Sequence, residues 1–211
     1  MALFSLFQRL WGGSKKQAVQ DVVERAKLDR DYFVLLTGAI LLAIGAIFTD
    51  SIPLLIASMI VAPLSAPILA LGLGLAEGSV KLVGRSLAAL VISCALALGI
   101  AMVAAMLFGD ARTTDILISF NGNMYIAFCV AVISGAIAAY GAMRPKVSTA
   151  ATGIAIAVSL MPPLVATGIG LAPGSEAFAG AALLFALNVA GIAAASAITF
   201  AASGAARSYR D

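Results

Sequence analysis

The groups in this chain best placed to do chemistry are backbone carbonyls that proline leaves without a donor. Pro63, Pro162 and Pro163 each lie within a long apolar run. Proline has no N–H, so each frees the carbonyl about one helical turn earlier: that of Met59 for Pro63, and those of Val158 and Ser159 for Pro162 and Pro163. In hydrocarbon such carbonyls must face protein, a cavity or a bound ion. Asn188 stands mid-run in Leu187-Asn188-Val189. An amide unpaired there costs several kcal/mol, on the order of a lost hydrogen bond in hydrocarbon, so it requires a partner. The carbonyls of Val158 and Ser159 are the obvious partners, and Ser58 and Thr167 are weaker cases of the same kind. Together with Pro67, these residues form the candidate substrate-binding set: Ser58, Met59, Pro63, Pro67, Val158, Ser159, Pro162, Pro163, Thr167 and Asn188. The expected ligand is a small solute or ion held by carbonyls and helix ends, with no metal ligand set and no cofactor. Asn188 fits either a structural clamp or a substrate contact. Single prolines also kink membrane helices without building a site; Pro63 with Pro67 fits either reading, whereas adjacent Pro162-Pro163 is expected to break its helix.

The elements that would carry these groups are duplicated. Pro63-Leu64-Ser65-Ala66 followed by Leu71-Gly72-Leu73-Gly74-Leu75-Ala76 resembles Pro163-Leu164-Val165-Ala166 followed by Ile169-Gly170-Leu171-Ala172, with Gly168 matching Gly72. Gly38-Ala39-Ile40 and Gly45-Ala46-Ile47 resemble Gly135-Ala136-Ile137 and Gly141-Ala142-Met143 in the same order. Paired, proline-interrupted segments in two halves point to a transporter-type site at the bilayer midplane. Proline suits the first turn of a helix, so Pro63 and Pro163 are expected to start second half-helices. Two helix N-termini meeting there favour an anionic or carbonyl-bearing group. Gly72, Gly74, Gly168 and Gly170 read as packing surfaces rather than ligand contacts.

Hydrophobic residues fill 62% of the 211 positions, only 11% are charged, and histidine is absent. This is the composition of a polytopic helical membrane protein, since about 20 apolar helical residues cross a bilayer core. The apolar runs are Phe33–Phe48, Pro53–Ala76, Ser86–Phe108, Met124–Met143, Val147–Leu171 and Phe178–Ala201. Arg9, Lys15, Lys16, Arg25, Lys27 and Arg30 precede the first; Lys81 and Arg85 follow the second, Arg144 and Lys146 the fourth, Arg207 and Arg210 the sixth. The other connections hold Arg112 alone. Such alternation places both termini in the cytoplasm, and explains a pI near 9.1 without nucleic acid. The expected fold is all-α: six transmembrane helices as two inverted three-helix repeats, 31–108 and 124–203, with the second and fifth spans broken.

Residues 1–30 are expected to form amphipathic helices at the interface or in the cytoplasm. One carries Leu3, Phe4, Leu6, Phe7, Leu10 and Trp11; another follows a cap at Ser14 with the stripe Ala18, Val19, Val22, Val23 and Ala26. Residues 109–123 form an outward-facing connection with Asp110, Arg112, Asp115 and the apolar patch Ile116-Leu117-Ile118, and 204–211 form a cytoplasmic tail. Cys94 and Cys129 read as small apolar fillers.

The pattern resembles the bacterial and archaeal membrane family known as domain of unknown function 389. The resemblance rests on Asp50-Ser51 with Ser58-Met59-Ile60-Val61-Ala62-Pro63-Leu64-Ser65-Ala66-Pro67-Ile68, on Gly153 to Leu164 with Gly168-Ile169-Gly170-Leu171, and on Leu184-Phe185-Ala186-Leu187-Asn188. Ala66 departs from the usual Gly and Leu187 from the usual Thr. The resemblance implies the membrane fold from roughly Asp31 to Ser203 and brings no activity, cofactor or residue role with it.

Two functional classes follow. The first is a transporter- or channel-like homo-oligomer with a midplane site for a small solute or ion, possible anions included. It would use no carboxylate or histidine relay, because no Asp, Glu, Lys, Arg or His lies inside a span. The second is a non-transporting scaffold assembling through Gly135, Ala139, Ala142, Gly191 and Ala195. An enzyme is not expected: without histidine there is no Ser–His pair.

Overall fold

The computed structural model describes residues 15–109, 124–144, 149–172 and 178–204. The expected first amphipathic helix, its following cap at Ser14, the patch Ile116-Leu117-Ile118 with Asp110, Arg112 and Asp115, and the tail beyond 204 lie outside the described residues. Among the described residues eight helices follow in order: α1 Lys15–Arg25, α2 Arg30–Phe48, α3 Ile52–Val61, α4 Ser65–Glu77, α5 Val80–Phe108, α6 Met124–Ala142, α7 Thr149–Gly170 and α8 Phe178–Ser203. Among the described residues there is no strand. Five of them, α2, α5, α6, α7 and α8, are long and apolar enough to cross a membrane; α3 and α4, bent by 50°, make a sixth if taken as one span.

Local chemistry sets the element ends. Asp29 caps α2 by accepting from the Tyr32 N–H at 2.8 Å, and Ser79 caps α5 through the Leu82 N–H. Gly78 closes α4 in the left-handed region at φ 67°, a conformation glycine adopts without a Cβ penalty. The bend between α3 and α4 starts at Ala62, which is extended at φ −62°, ψ 123°, because a residue before proline is driven away from helical ψ. Pro63 precedes the second half rather than starting it. Pro67, not Pro63, occupies the first turn of α4, where a missing N–H has no intrahelical partner to lose.

The fifth span corrects the expectation of a second break. Helix α7 runs without interruption from Thr149 to Gly170 with Pro162 and Pro163 inside it. Residues 161–170 are all buried, so neighbouring helices hold the geometry that the local hydrogen bonds no longer hold. Pro163 therefore starts no half-helix, and one helix N-terminus, that of α4, stands at an interruption instead of two.

Two contacts fix the register of the bundle. The rings of Phe48 and Phe108 meet edge to face at 6.0 Å, and the hydroxyls of Tyr32 and Ser93 lie 2.8 Å apart. Helices α2 and α5 thus run side by side in the same direction. Tyr32 is near the start of α2, so the first part of α5, from Val80 to about Ser93, projects beyond it.

Glycines set the closest approaches. A Cβ at Gly135 of α6 would stand 2.5 Å from the carbonyl oxygen of Ile192 in α8, and one at Gly168 of α7 would stand 3.0 Å from the Leu98 backbone of α5. Gly72 meets Ser196 of α8, and Gly74 meets Val83 and Leu82 of α5. These glycines are packing surfaces, as their spacing predicts. Gly135 and Gly191 are also faces that a scaffold would need for assembly; here Gly135 packs on Ile192 and Gly191 on Phe128 within one chain.

Candidate functional site

Two separate arrangements hold some of the residues singled out above. The first is a cavity of about 310 Å³ at the bend of the second span. Pro63, Ser65, Ala66 and Leu69 form its wall on the bend and on α4. Asp29, Asp31, Tyr32 and Leu35 line it at the start of α2, and Ala18, Asp21, Val22 and Arg25 line it from α1. Ala142 at the end of α6 and Gly153 near the start of α7 complete it. Helix α1 reaches this place because Val19 and Val22 are buried against the bundle, 1% and 6% exposed. That burial turns the charged face of α1, with Asp21 and Arg25, toward the cavity and solvent.

The cavity lies level with the first turn of α2 and not at the middle of that helix. Of the expected set, Pro63 alone lines it. Asp21, Arg25, Asp29, Asp31, Tyr32, Ser65, Ala66 and Gly153 escaped sequence reasoning. The available signal was the mixed-sign run from Asp21 to Asp31 abutting the first span, which reads equally well as a solvated surface.

The second arrangement joins α7 and α8. Asn188 is 3% exposed, and its Nδ2 donates to the Ser159 carbonyl at 2.6 Å. That carbonyl is one of the two freed by the paired prolines, since Pro163 has no N–H to offer it. Because a carbonyl only accepts, the contact also fixes the amide's orientation, and Asn188 Oδ1 points away with no hydrogen-bond partner among the described residues. Thr167 donates its hydroxyl to the Pro163 carbonyl at 2.6 Å, and Ser58 donates to Leu55 at 2.6 Å, so both satisfy their own helices. Met59, Pro67, Pro162 and Pro163 are buried, whereas the Val158 side chain is 46% exposed. The Asn188 amide supplies a donor to α7 where proline removed one, which helps explain why α7 stays continuous.

This pairing yields a prediction. Asn188→Ala leaves the Ser159 carbonyl unsatisfied and costs about 2 kcal/mol. Pro163→Ala returns an N–H to the same carbonyl, so in the double variant the loss at Asn188 shrinks. A double-mutant cycle on unfolding in SDS is expected to give a coupling of about 1 kcal/mol; strict additivity refutes the assignment.

Residues 59–194 match the family described as Domain of unknown function (DUF389). The chain belongs to this family. The matched region of this DUF389 protein begins at Met59 in α3 and ends in α8, so it contains Pro63, Pro162, Pro163 and Asn188 but not the α1 and α2 walls of the cavity. An uncharacterised protein of Methanocaldococcus jannaschii is 29% identical over 180 residues, which is 85% of this chain and 56% of the relative. The chain thus spans about half the length of the curated relative it matches. No solved structure matches it.

Proposed function

We propose that this DUF389 protein is a transporter- or channel-like membrane protein, and that the cavity at the Pro63 bend binds the solute it passes. The observation that carries this reading is the coincidence of a span interrupted at Ala62–Leu64 with a cavity lined by ionisable side chains. Interrupted backbone at membrane depth is tolerated where it faces protein or an aqueous cavity. A scaffold has no use for such a space, and the glycine faces cited for it are spent on contacts within the chain. Homo-oligomer contacts then fall on faces that the protomer leaves open, such as those of Gly38 and Gly45, where an added Cβ meets nothing within 4 Å.

An inverted relation between the halves is part of the proposal. Gly153 faces Ser65 at the cavity, and Gly168 faces Leu98 and Ala101, further toward the Phe108 end. Helix α7 therefore runs away from the cavity toward the Phe108 end, whereas α3 runs from the Phe48–Phe108 end toward it. The charge bias puts the cavity on the cytoplasmic side. Its lining favours a cation over the anion expected from two facing helix N-termini: three carboxylates, Asp21, Asp29 and Asp31, face one guanidinium, Arg25, and only α4 begins at an interruption.

Flux in proteoliposomes tests the reading. Small cations, both alkali-metal and organic ammonium, are expected to cross faster than in protein-free vesicles and faster than chloride or acetate. Asp31→Asn, which spares the Asp29 cap, should lower cation flux several-fold. Vesicles inert to the whole panel would overturn the proposal.

A further inference from the structure

A second cavity, of about 350 Å³, lies between the end of α1 and the projecting first turns of α5. Its lining includes Lys27 and Arg85 and no carboxylate, with Leu28 and Leu82 among its apolar walls. Ser86, 2% exposed, also lines it, and its Oγ has no hydrogen-bond partner among the described residues. Buried Ser58, Ser93, Thr167, Ser196 and Ser203, by contrast, each donate to a carbonyl of their own helix. A buried hydroxyl without a partner costs about 1–3 kcal/mol, so a ligand that accepts from it recovers that loss.

The depth of this cavity narrows the ligand. Helix α5 has 29 residues, a rise of about 43 Å at about 1.5 Å per residue, against about 30 Å of hydrocarbon. Its Phe108 end is level with the end of α2, so the excess falls at the end where Lys81 and Arg85 stand, and Ser86 lies near the headgroup boundary. Lys27 pairs with Glu24, with both side chains more than half exposed; an exposed pair of this kind is weak and yields readily to a stronger anion. Arg85 has no ion-pair partner among the described residues. A planar guanidinium and an ammonium line this space, with the buried Ser86 hydroxyl in its wall as a further donor, a set that suits the oxygens of phosphate. Beyond the cavity, Leu87 and Val91 of α5 are 46% and 66% exposed, which gives an acyl chain an apolar track.

We propose that the α1–α5 cavity binds a phosphate group, through Arg85, Lys27 and the Ser86 hydroxyl. This inference is independent of the solute proposed for the Pro63 cavity. Two sources carry that chemistry, the headgroup of an anionic phospholipid and a free phosphate, and the experiment separates them. Full-length protein in detergent is titrated with phosphatidylglycerol, with phosphatidylcholine and with inorganic phosphate, and bound species are counted by native mass spectrometry.

The expected result is at least tenfold tighter retention of phosphatidylglycerol than of phosphatidylcholine. Arg85→Gln should bring that preference close to one, Ser86→Ala should reduce it about threefold, and Lys81→Gln, which does not line the cavity, should leave it unchanged. Saturable binding of inorganic phosphate that Arg85→Gln and Ser86→Ala both weaken, with no lipid preference, supports the site with the free anion as its ligand. Equal retention of both lipids without phosphate binding overturns the proposal. So does an effect of Lys81→Gln equal to that of Arg85→Gln, or indifference to Ser86→Ala, because diffuse surface charge then explains the binding. Circular dichroism of each variant confirms that its helices are retained.

Discussion

Gly135→Ala is expected to destabilise the bundle by about 1–2 kcal/mol net, although alanine is the better helix former. In an exposed helix interior the change from glycine to alanine gains about 1 kcal/mol. At Gly135 the new Cβ would lie 2.5 Å from the Ile192 carbonyl oxygen and 2.8 Å from its Cα. Both are backbone atoms of α8, which no side-chain rotamer can move aside, so α6 and α8 must separate and lose contact along their shared face. Overpacking of this kind costs about 1–3 kcal/mol and occasionally more. Gly84 supplies the control: a Cβ there meets nothing within 4 Å, so Gly84→Ala should be neutral or slightly stabilising. SDS or thermal unfolding of the two variants should therefore move in opposite directions. Equal behaviour would mean that the α6–α8 contact is looser than described.

Ala66→Trp is expected to abolish solute flux, by tenfold or more, with the protein still folded. Ala66 is half-buried on the wall of the 310 Å³ cavity, so an indole there projects into space instead of into a packed core. The cost to stability is small because the ring enters a void that is already open, and its apolar faces can cover Leu35 and Leu69. The loss of flux is large because the ring occupies the volume a solute needs. Gly153→Trp on α7, where the new Cβ meets only the Ser65 side chain at 3.1 Å, should act in the same way once that hydroxyl turns aside. A folded Ala66→Trp protein that conducts like the parent would remove the cavity from the solute path. An inert parent would instead defeat the transport reading itself, so the two failures are distinguishable.

Several features of the fold were legible in the residues. The apolar runs mark the spans because burial in hydrocarbon depends on local composition, which needs no knowledge of neighbours. Asp29, Ser79 and Gly78 sit at helix ends for equally local reasons. The Asn188–Ser159 contact was also foreseeable: a proline pair and a mid-span amide each create an unmet hydrogen-bonding need, and hydrocarbon leaves them no partner but each other.

The chain alone could not decide which proline would interrupt its helix. Pro63 and Pro163 have similar local sequences, yet α3 stops at Val61 while α7 continues through Pro162 and Pro163. The difference lies in what surrounds each segment: burial on every side, the Asn188 amide and the Thr167 hydroxyl hold α7 together. The cavity was hidden for a related reason. Asp21, Arg25 and Asp31 are surface residues by composition, and the docking of Val19 and Val22 brings Asp21 and Arg25 over the Pro63 bend, beside Asp31 of α2. Gly135 and Gly191, whose spacing fits contact with another subunit as well as with α8, were likewise assigned by the packing alone. Hydropathy, end caps and missing donors are written along the chain; whether a weakened helix survives and which charges meet are settled by atoms distant in sequence.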